Sequence, residues 1–196
     1  MPALDLQNDR QNQRPLGRLL VEITLQVHSD FFLDDAPVGF FLRVGLLDGA
    51  QHDVARTDDY LVAYCRRGGD YQPRTDGYLV RAESRDGGRT WSEGRDSGFP
   101  NPNAAVDFLK LRSSRLLLVY NDSMSRRTPL TAALSPDHDS TYPYRRNIVS
   151  GTGAFAYPVA IQTQDDKIHV VYTSEQRTVI NHAVFDEEWV LQGNRK

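Results

Sequence analysis

Arginine is the residue type in this sequence with the clearest chemical use. The chain of 196 residues contains 20 Arg and 3 Lys, and a planar guanidinium can hold a carboxylate through two parallel hydrogen bonds. A GC-rich genome would produce the same bias, so composition alone does not establish a carboxylate site. Cys65 is the one cysteine, and no group of His, Asp or Glu has the spacing of metal ligands. We therefore expect no internal disulfide, no metal and no cofactor.

Size, charge and hydropathy narrow the class of protein. A mass of 22.2 kDa with 39% hydrophobic and 25% charged residues fits one globular domain. The net charge of −3 gives no reason to expect a nucleic-acid partner. The longest apolar run, 116–120, is too short to cross a bilayer, so no membrane partner is expected. Residues 1–20 are polar and contain no signal peptide, which favours a cytoplasmic location.

Short runs of β-branched, aromatic and leucine residues, separated by Gly, Asp, Asn, Ser or Pro, dominate the chain, as is typical of strands. They predict an all-β fold with strands at Leu19–Val27, Gly39–Leu47, Tyr60–Arg66, Gly77–Ser84, Val106–Leu111, Leu116–Asn121, Leu130–Ser135, Tyr157–Gln162, Ile168–Thr173, Val179–Phe185 and Trp189–Gln192. The segment 16–27 could instead be helical, and residues 1–14 have the composition of a polar tail.

An internal repeat indicates the architecture. Residues Ser84–Trp91 fit the pattern S-x-D-x-G-x-T-W at every fixed position, and Ser135–Tyr142 are a divergent copy with Asp139 in place of Gly and Tyr142 in place of Trp. The copies start 51 residues apart, and each follows a predicted strand. Self-similarity at this period is typical of a β-propeller blade, with the motif at the turn between its third and fourth strands. In that turn the aspartate can cap backbone N–H groups and the glycine supplies a positive φ.

The repeated element resembles the Asp box of the sialidase (neuraminidase) superfamily, and the chain resembles that family's BNR-repeat branch. The similarity continues through Phe99–Asn103, Arg115–Asn121, Arg127–Leu130, Ala156–Thr163, Lys167–Thr173 and Ile180–Val184, and covers about 58–192.

Sialidase propellers have six blades, so the resemblance implies a partial propeller of about three four-stranded antiparallel blades, the C-terminal half. We place the blades at about 36–100, 101–150 and 151–192, after an N-terminal tail and an uncertain strand in 1–35. Three blades cannot close a ring. The other half is missing, or two chains pair as a homodimer that completes the propeller, or the arc stays open with exposed strand edges.

The resemblance also implies functional residues. Sialidases clamp the substrate carboxylate with three arginines and attack the anomeric carbon with a tyrosine. Arg127 resembles the third arginine, Arg66 or Arg67 falls where the second would be, and Tyr157 resembles the nucleophile. Side chains in the matched stretch that could bind a sugar are Asn103, Asp107 and Asn121.

The remaining members of the family's catalytic set have no convincing counterpart. The first arginine, the acid/base aspartate and the polarising glutamate are unassigned, and Arg43 is a weak candidate for the first of these. Tyr157 could also be a packed aromatic at a strand start, and Arg127 a surface arginine. Asn and Asp are ordinary turn residues as well.

These observations favour a sialidase-like hydrolase, an exo-glycosidase acting on terminal acidic sugars such as sialic acid, with an acidic glycan or small sugar as its partner. One alternative is a non-catalytic glycan-binding or assembly module derived from a sialidase propeller, or a truncated product. A third is a propeller scaffold that binds other proteins.

Overall fold

Three antiparallel sheets make up most of the part of the chain that the computed structural model describes, which is residues 52–57, 59–67 and 77–195. The first sheet contains, in order, β1 (His52–Arg56), β2 (Leu61–Cys65), β3 (Tyr78–Ser84) and β4 (Arg95–Pro100). The second contains β5 (Asp107–Lys110), β6 (Leu116–Asn121), β7 (Leu130–Ser135) and β8 (Tyr144–Val149), and the third contains β9 (Ala156–Gln162), β10 (Ile168–Ser174) and β11 (Val179–Phe185). After β11 a short helix α1 (Glu187–Leu191) leads to β12 (Asn194–Arg195), which pairs with the outer strand β8.

The second sheet is covered on both faces, which explains its sequence. Every residue of β6 and β7 is buried, and both strands are continuous apolar or small-residue runs. One face packs against the first sheet through a cluster that includes Phe108, Leu118 and Tyr120 with Val62, Tyr64 and Phe99. The other face packs against the third sheet through Leu117, Val119 and Leu134 with Ala160, Val170 and Phe185.

The first strands of the three sheets lie side by side. β5 contacts both β1 and β9, and the Asp107 carboxylate accepts a hydrogen bond from the Ala160 N–H at 2.7 Å. Sheets that stack face to face while their first strands share one edge form successive blades of a propeller. The predicted all-β partial propeller is confirmed.

Most of the predicted strands within the described residues are present, and one is wrong. The segment Trp189–Gln192 belongs to α1 and the residue that ends it, because the Asp186 carboxylate accepts a hydrogen bond from the Trp189 N–H at 2.9 Å and starts a helix. The strands β4 and β8 are the fourth strands expected after the two turn motifs, for which the sequence gave no bounds, and β1 and β12 were not anticipated. The third sheet has three strands among the described residues rather than four. Predictions for Leu19–Val27, Gly39–Leu47 and 1–35 lie outside the described residues.

The first S-x-D-x-G-x-T-W element forms the turn between β3 and β4. The Asp86 carboxylate accepts hydrogen bonds from the Ser84 hydroxyl (2.8 Å), the Thr90 N–H (2.9 Å) and the Thr90 hydroxyl (2.7 Å). Gly88 has a φ of +92° and its N–H donates to the Ser84 Oγ at 2.8 Å. The indole of Trp91 donates to the Gly88 carbonyl at 3.2 Å. The fixed residues of the motif therefore hydrogen-bond to one another within the turn.

The second copy repeats these bonds between β7 and β8 and adds a connection to the first sheet. Asp137 takes the place of Asp86, with the Thr141 hydroxyl at 2.6 Å and its N–H at 2.8 Å. The Asp139 carboxylate is fully buried and accepts hydrogen bonds from the Tyr142 hydroxyl (2.5 Å), the Tyr64 hydroxyl (2.8 Å) and the Arg81 Nε (2.7 Å). Burial and this carboxylate raise the pKa of both phenols far above the usual value.

We expect the first turn to make stability depend on pH at the acidic end. Hydrogen bonds from the Thr90 hydroxyl, the Thr90 N–H and the Ser84 hydroxyl lower the pKa of Asp86 from 3.8 to about 2. The stabilisation is therefore complete above pH 3.8 and is lost as the pH falls through 2. In urea unfolding, the difference in the free energy of unfolding between wild type and Asp86→Asn should be constant near neutral pH and narrow toward pH 2. When both proteins also carry Thr90→Val, the same difference should be smaller. A difference that grows on acidification would contradict the assignment.

Removing the Asp139 carboxylate should destabilise the contact between the first two sheets. We expect Asp139→Ala to lower the free energy of unfolding by about 3 kcal/mol, because two buried hydroxyls lose their acceptor and the Arg81 guanidinium loses its partner. Asp139→Gly should lose less, because glycine relieves the φ of +77° at this position. The matched control is Asp59→Ala at an exposed position. An Asp139→Ala variant as stable as this control would show that the network is dispensable.

Candidate functional site

The structure brings Arg127 and Tyr157 together. Tyr157 is the second residue of β9, and the Arg127 Cζ lies 5.8 Å from the centroid of its ring. A second guanidinium, from Arg177, lies 5.1 Å from the same centroid. Tyr157 and Arg127 are half-buried and Arg177 is exposed. Two cations over one phenol ring form cation–π contacts, and they also concentrate positive charge where an anion can reach it.

Backbone hydrogen bonds position Arg127. The segment that carries it, between β6 and β7, is held against the residues that precede β9. The Phe155 N–H donates to the Arg127 carbonyl at 2.8 Å, and the Thr128 hydroxyl donates to the Gly151 carbonyl at 3.1 Å. The arginine is therefore fixed relative to Tyr157 two residues beyond Phe155.

Asn121 connects the same two segments. It ends β6, is completely buried, and its amide donates to the Pro129 carbonyl at 3.2 Å and to the Phe155 carbonyl at 3.0 Å. Both of these donor bonds go to backbone groups. Asn121, which the sequence predicts to contact a sugar, therefore links the segments that carry Arg127 and Tyr157.

Tyr157 and Arg177 both have left-handed backbone conformations. Tyr157 has a φ of +54° and precedes Pro158, and the three residues of the turn 175–177 have φ values of +47°, +57° and +73°. Left-handed conformations of non-glycine residues cost of order 1–3 kcal/mol each and are found where function constrains the chain. The Thr178 hydroxyl and N–H both donate to the Glu175 carbonyl and hold this turn. Sequence patterns gave no signal for Arg177, because only the tertiary fold places it over the ring.

The other predicted site residues lie near the starts of inner strands or at the end of β2. Arg66 is buried directly after β2, and Arg67 forms an ion pair with Asp96 of β4. Asn103 is buried with a φ of +57° in the segment before β5. Asp107, which begins β5, uses one carboxylate oxygen to bind the backbone of β9. Arg67 and Asp107 therefore have partners within the chain.

The described residues supply neither a reactive thiol nor a metal site. Burial raises the pKa of the Cys65 thiol to about 12, so it is not a nucleophile at neutral pH. Residues 52–57, 59–67 and 77–195 contain no group of three or more His, Cys, Asp or Glu that could hold a metal ion. In the same ranges no helix is long and apolar enough to span a membrane.

A cavity lies elsewhere in the described part of the chain. It has a volume of about 770 Å³ and is lined by Arg81, Asp139, Tyr142 and neighbouring residues of the first sheet and the second hairpin. None of the residues predicted for the site lines it. Because the Asp139 network occupies this cleft, we assign it to the contact between the two sheets.

Comparison with known proteins supports the fold. A family model described as a BNR repeat-like domain matches residues 50–170. The structure is similar to the intramolecular trans-sialidase of Ruminococcus gnavus, with 15% identity and a TM-score of 0.60, over 72% of this chain and 33% of that one. It is similar to a mutant of the NanB sialidase of Streptococcus pneumoniae, with 17% identity and a TM-score of 0.59, over 72% and 24% of the two chains.

A protein of unknown function from Dyadobacter fermentans has 23% identity and a TM-score of 0.53, over 70% of this chain and 39% of that one. No curated protein matches the chain. Likenesses at these identities show the fold alone, and the chain spans less than two fifths of the length of each of these structures.

The position of Asn121 predicts a structural effect that can be measured separately from ligand binding. Asn121→Ala removes both donors and leaves the Pro129 and Phe155 carbonyls without this partner. We expect the free energy of unfolding to fall by about 2–3 kcal/mol. The matched control is Asn181→Ala on β11, which removes an amide that donates to the Tyr172 carbonyl at 3.4 Å and to the Ser174 Oγ at 2.8 Å from a partly exposed position, where water can replace it. A loss at Asn121 no larger than at Asn181 would contradict the supporting role.

Proposed function

The chain belongs to the BNR repeat-like domain family, and from that premise we propose that it is a sialidase-like domain that acts on terminal acidic sugars at Tyr157. The observation that carries the proposal is the pair of guanidiniums, Arg127 and Arg177, within 6 Å of the ring of Tyr157. A sugar carboxylate placed against them would make charge-assisted hydrogen bonds, each stronger than a bond between neutral groups. A neutral sugar would leave both cations without a counter-charge.

In this proposal Tyr157 lies at the anomeric carbon and acts as the nucleophile. The anomeric carbon of a sialic acid already carries a carboxylate, so an attacking carboxylate would be repelled, whereas a phenol is not. Covalent attack needs a base that accepts the phenol proton. The ring contacts described for Tyr157 are to two cations, which cannot accept that proton.

A second candidate is a glycan-binding module without turnover. Both candidates require Arg127 and Arg177, and they differ in whether bonds are cleaved. This chain covers 33% and 24% of the two sialidase structures to which it is similar. Hydrolysis by this chain alone therefore requires more of it than glycan binding does.

The test combines a binding measurement with a turnover assay. We expect the chain to bind N-acetylneuraminic acid in titration calorimetry, and Arg127→Ala or Arg177→Ala to weaken binding by about tenfold or more, as loss of a charged hydrogen bond should. Arg126→Ala, the exposed neighbour, is the matched control and should leave binding unchanged. A neutral sugar such as galactose should not bind.

Turnover is followed with a fluorogenic sialoside. Cleavage that is abolished in Tyr157→Phe, with binding retained, supports the hydrolase. Binding without cleavage in the wild type supports the module. If neither binding nor cleavage occurs with any acidic sugar, both are wrong.

A further inference from the structure

The hairpin turn between β10 and β11 contains three consecutive left-handed residues. Ser174 pairs with Val179 where the two strands meet the turn, so residues 175–178 form the whole connection. The three residues of Glu175–Arg177 have φ values of +47°, +57° and +73°. None of them is a glycine, the residue that adopts this region without a steric penalty. The backbone is therefore strained at the residues that direct the Arg177 side chain toward the candidate site.

Thr178 closes this turn. Its hydroxyl donates to the Glu175 carbonyl at 2.6 Å, and its N–H donates to the same carbonyl at 3.2 Å. Thr178 itself has returned to the right-handed region, with a φ of −87° and a ψ of −19°. All four residues of the connection are exposed, so burial of apolar side chains does not hold the turn. The threonine hydroxyl therefore supplies a hydrogen bond that a valine of similar shape would lack.

The position of Arg177 is not explained by an opposite charge on the chain. Its Cζ lies 5.1 Å from the centroid of the Tyr157 ring, and the Arg127 Cζ lies 5.8 Å from the same point. No carboxylate in the described part of the chain forms an ion pair with either guanidinium. Two like charges over one ring repel each other, and an exposed arginine has many other rotamers available. The direction in which the turn sends the side chain therefore matters for the contact.

We propose that the turn Glu175–Arg177 determines the carboxylate specificity of the candidate site, and that Thr178 is the positioning residue that maintains it. The inference rests on the proposed function, because it concerns how that site selects an acidic sugar. In the left-handed conformation the turn holds the Arg177 guanidinium over the same ring as Arg127, so a carboxylate meets two cations whose positions are already set. An arginine released from the ring would have to be ordered again on binding, which weakens the complex.

Two substitutions of Gln176 separate the conformation of the backbone from the identity of the side chain. Asparagine is enriched in the left-handed region, whereas a β-branched valine is a genuine outlier there. The Gln176 side chain is exposed, so neither change disturbs the core. In titration calorimetry Gln176→Asn should keep the wild-type affinity for N-acetylneuraminic acid, and Gln176→Val should lower it by about threefold to tenfold. Equal affinities of the two variants would contradict the proposal.

The role of Thr178 is tested in the same assay. Thr178→Val removes the hydroxyl and should weaken binding by about threefold to tenfold, whereas Thr178→Ser retains the hydroxyl and should restore the affinity. In an Arg177→Ala background Thr178→Val should have no further effect, because Thr178 acts through the arginine. A loss of the same size in that background would mean that Thr178 does not act through Arg177, and the proposal would be wrong.

The position of Arg177 can also be measured without a ligand. The Tyr157 ring should shift the NMR signals of the Arg177 side-chain protons upfield, with Tyr157→Leu as the reference that lacks the ring. This ring-current shift should persist in Gln176→Asn and Thr178→Ser and diminish in Gln176→Val and Thr178→Val. An unchanged shift in both valine variants would show that the turn does not position Arg177.

The two assays distinguish failure of this inference from failure of the proposed function. A wild type that binds no acidic sugar would overturn the proposed function and this inference with it. A wild type that binds N-acetylneuraminic acid, together with valine variants that bind it equally tightly, would overturn this inference alone. Weaker binding and a diminished ring-current shift in the same two valine variants would support it.

Discussion

The central constraint on this structure is that the second sheet is buried on both faces. A sheet of this kind cannot be stable alone, because β6 and β7 expose no polar side to water on either face. It therefore determines where its neighbours lie: the first sheet packs on one face, the third on the other, and their first strands meet along β5. The position of the candidate site follows from this stacking.

The candidate site is a product of the connections between strands. Arg127, Tyr157 and Arg177 come from three different segments, and hydrogen bonds to the Arg127, Phe155 and Glu175 carbonyls hold these segments. Such an arrangement fixes the backbone positions from which the two arginines extend, which would reduce the ordering that the proposed ligand binding requires. The left-handed residues 157 and 175–177 are tolerated for the same reason: the surrounding hydrogen bonds determine their conformation.

The sequence predicted the parts of the fold whose residues carry their own signal. The strands β6, β7, β10 and β11 are apolar or alternating runs, and the two turns contain a motif whose members bond mainly to one another. The bounds of β8 were not predicted, because Tyr144–Val149 is an outer strand with two arginines and no apolar run. The bounds of β4 were not predicted either, because Gly98 and a register shift interrupt the strand. The run Trp189–Gln192 was too short to distinguish a strand from a helix without the Asp186 cap.

The site was predictable to the extent that family resemblance covers it. Arg127 and Tyr157 were predicted because they lie in stretches that resemble the family. In the structure the Arg127 guanidinium contacts the Tyr157 ring. Arg177 was not found, because it approaches the ring through a turn that no sequence pattern describes. Asn121 and Asp107 were identified as polar residues of interest, but the sequence could not show that their hydrogen bonds go to backbone groups of the chain itself.

The divergent copy of the turn motif shows how a departure from a pattern can carry structural information. In both copies the eighth residue bonds to the fifth: the Trp91 indole to the Gly88 carbonyl, and the Tyr142 hydroxyl to the Asp139 carboxylate. The two substitutions in the second copy therefore form a matched pair. The new carboxylate also reaches the Tyr64 hydroxyl and the Arg81 Nε of the first sheet, which a glycine could not do. The first copy of the turn bonds mainly within itself, whereas the second copy also connects two sheets. The Asp139 side chain makes this connection, which explains why the consensus glycine is absent at this position.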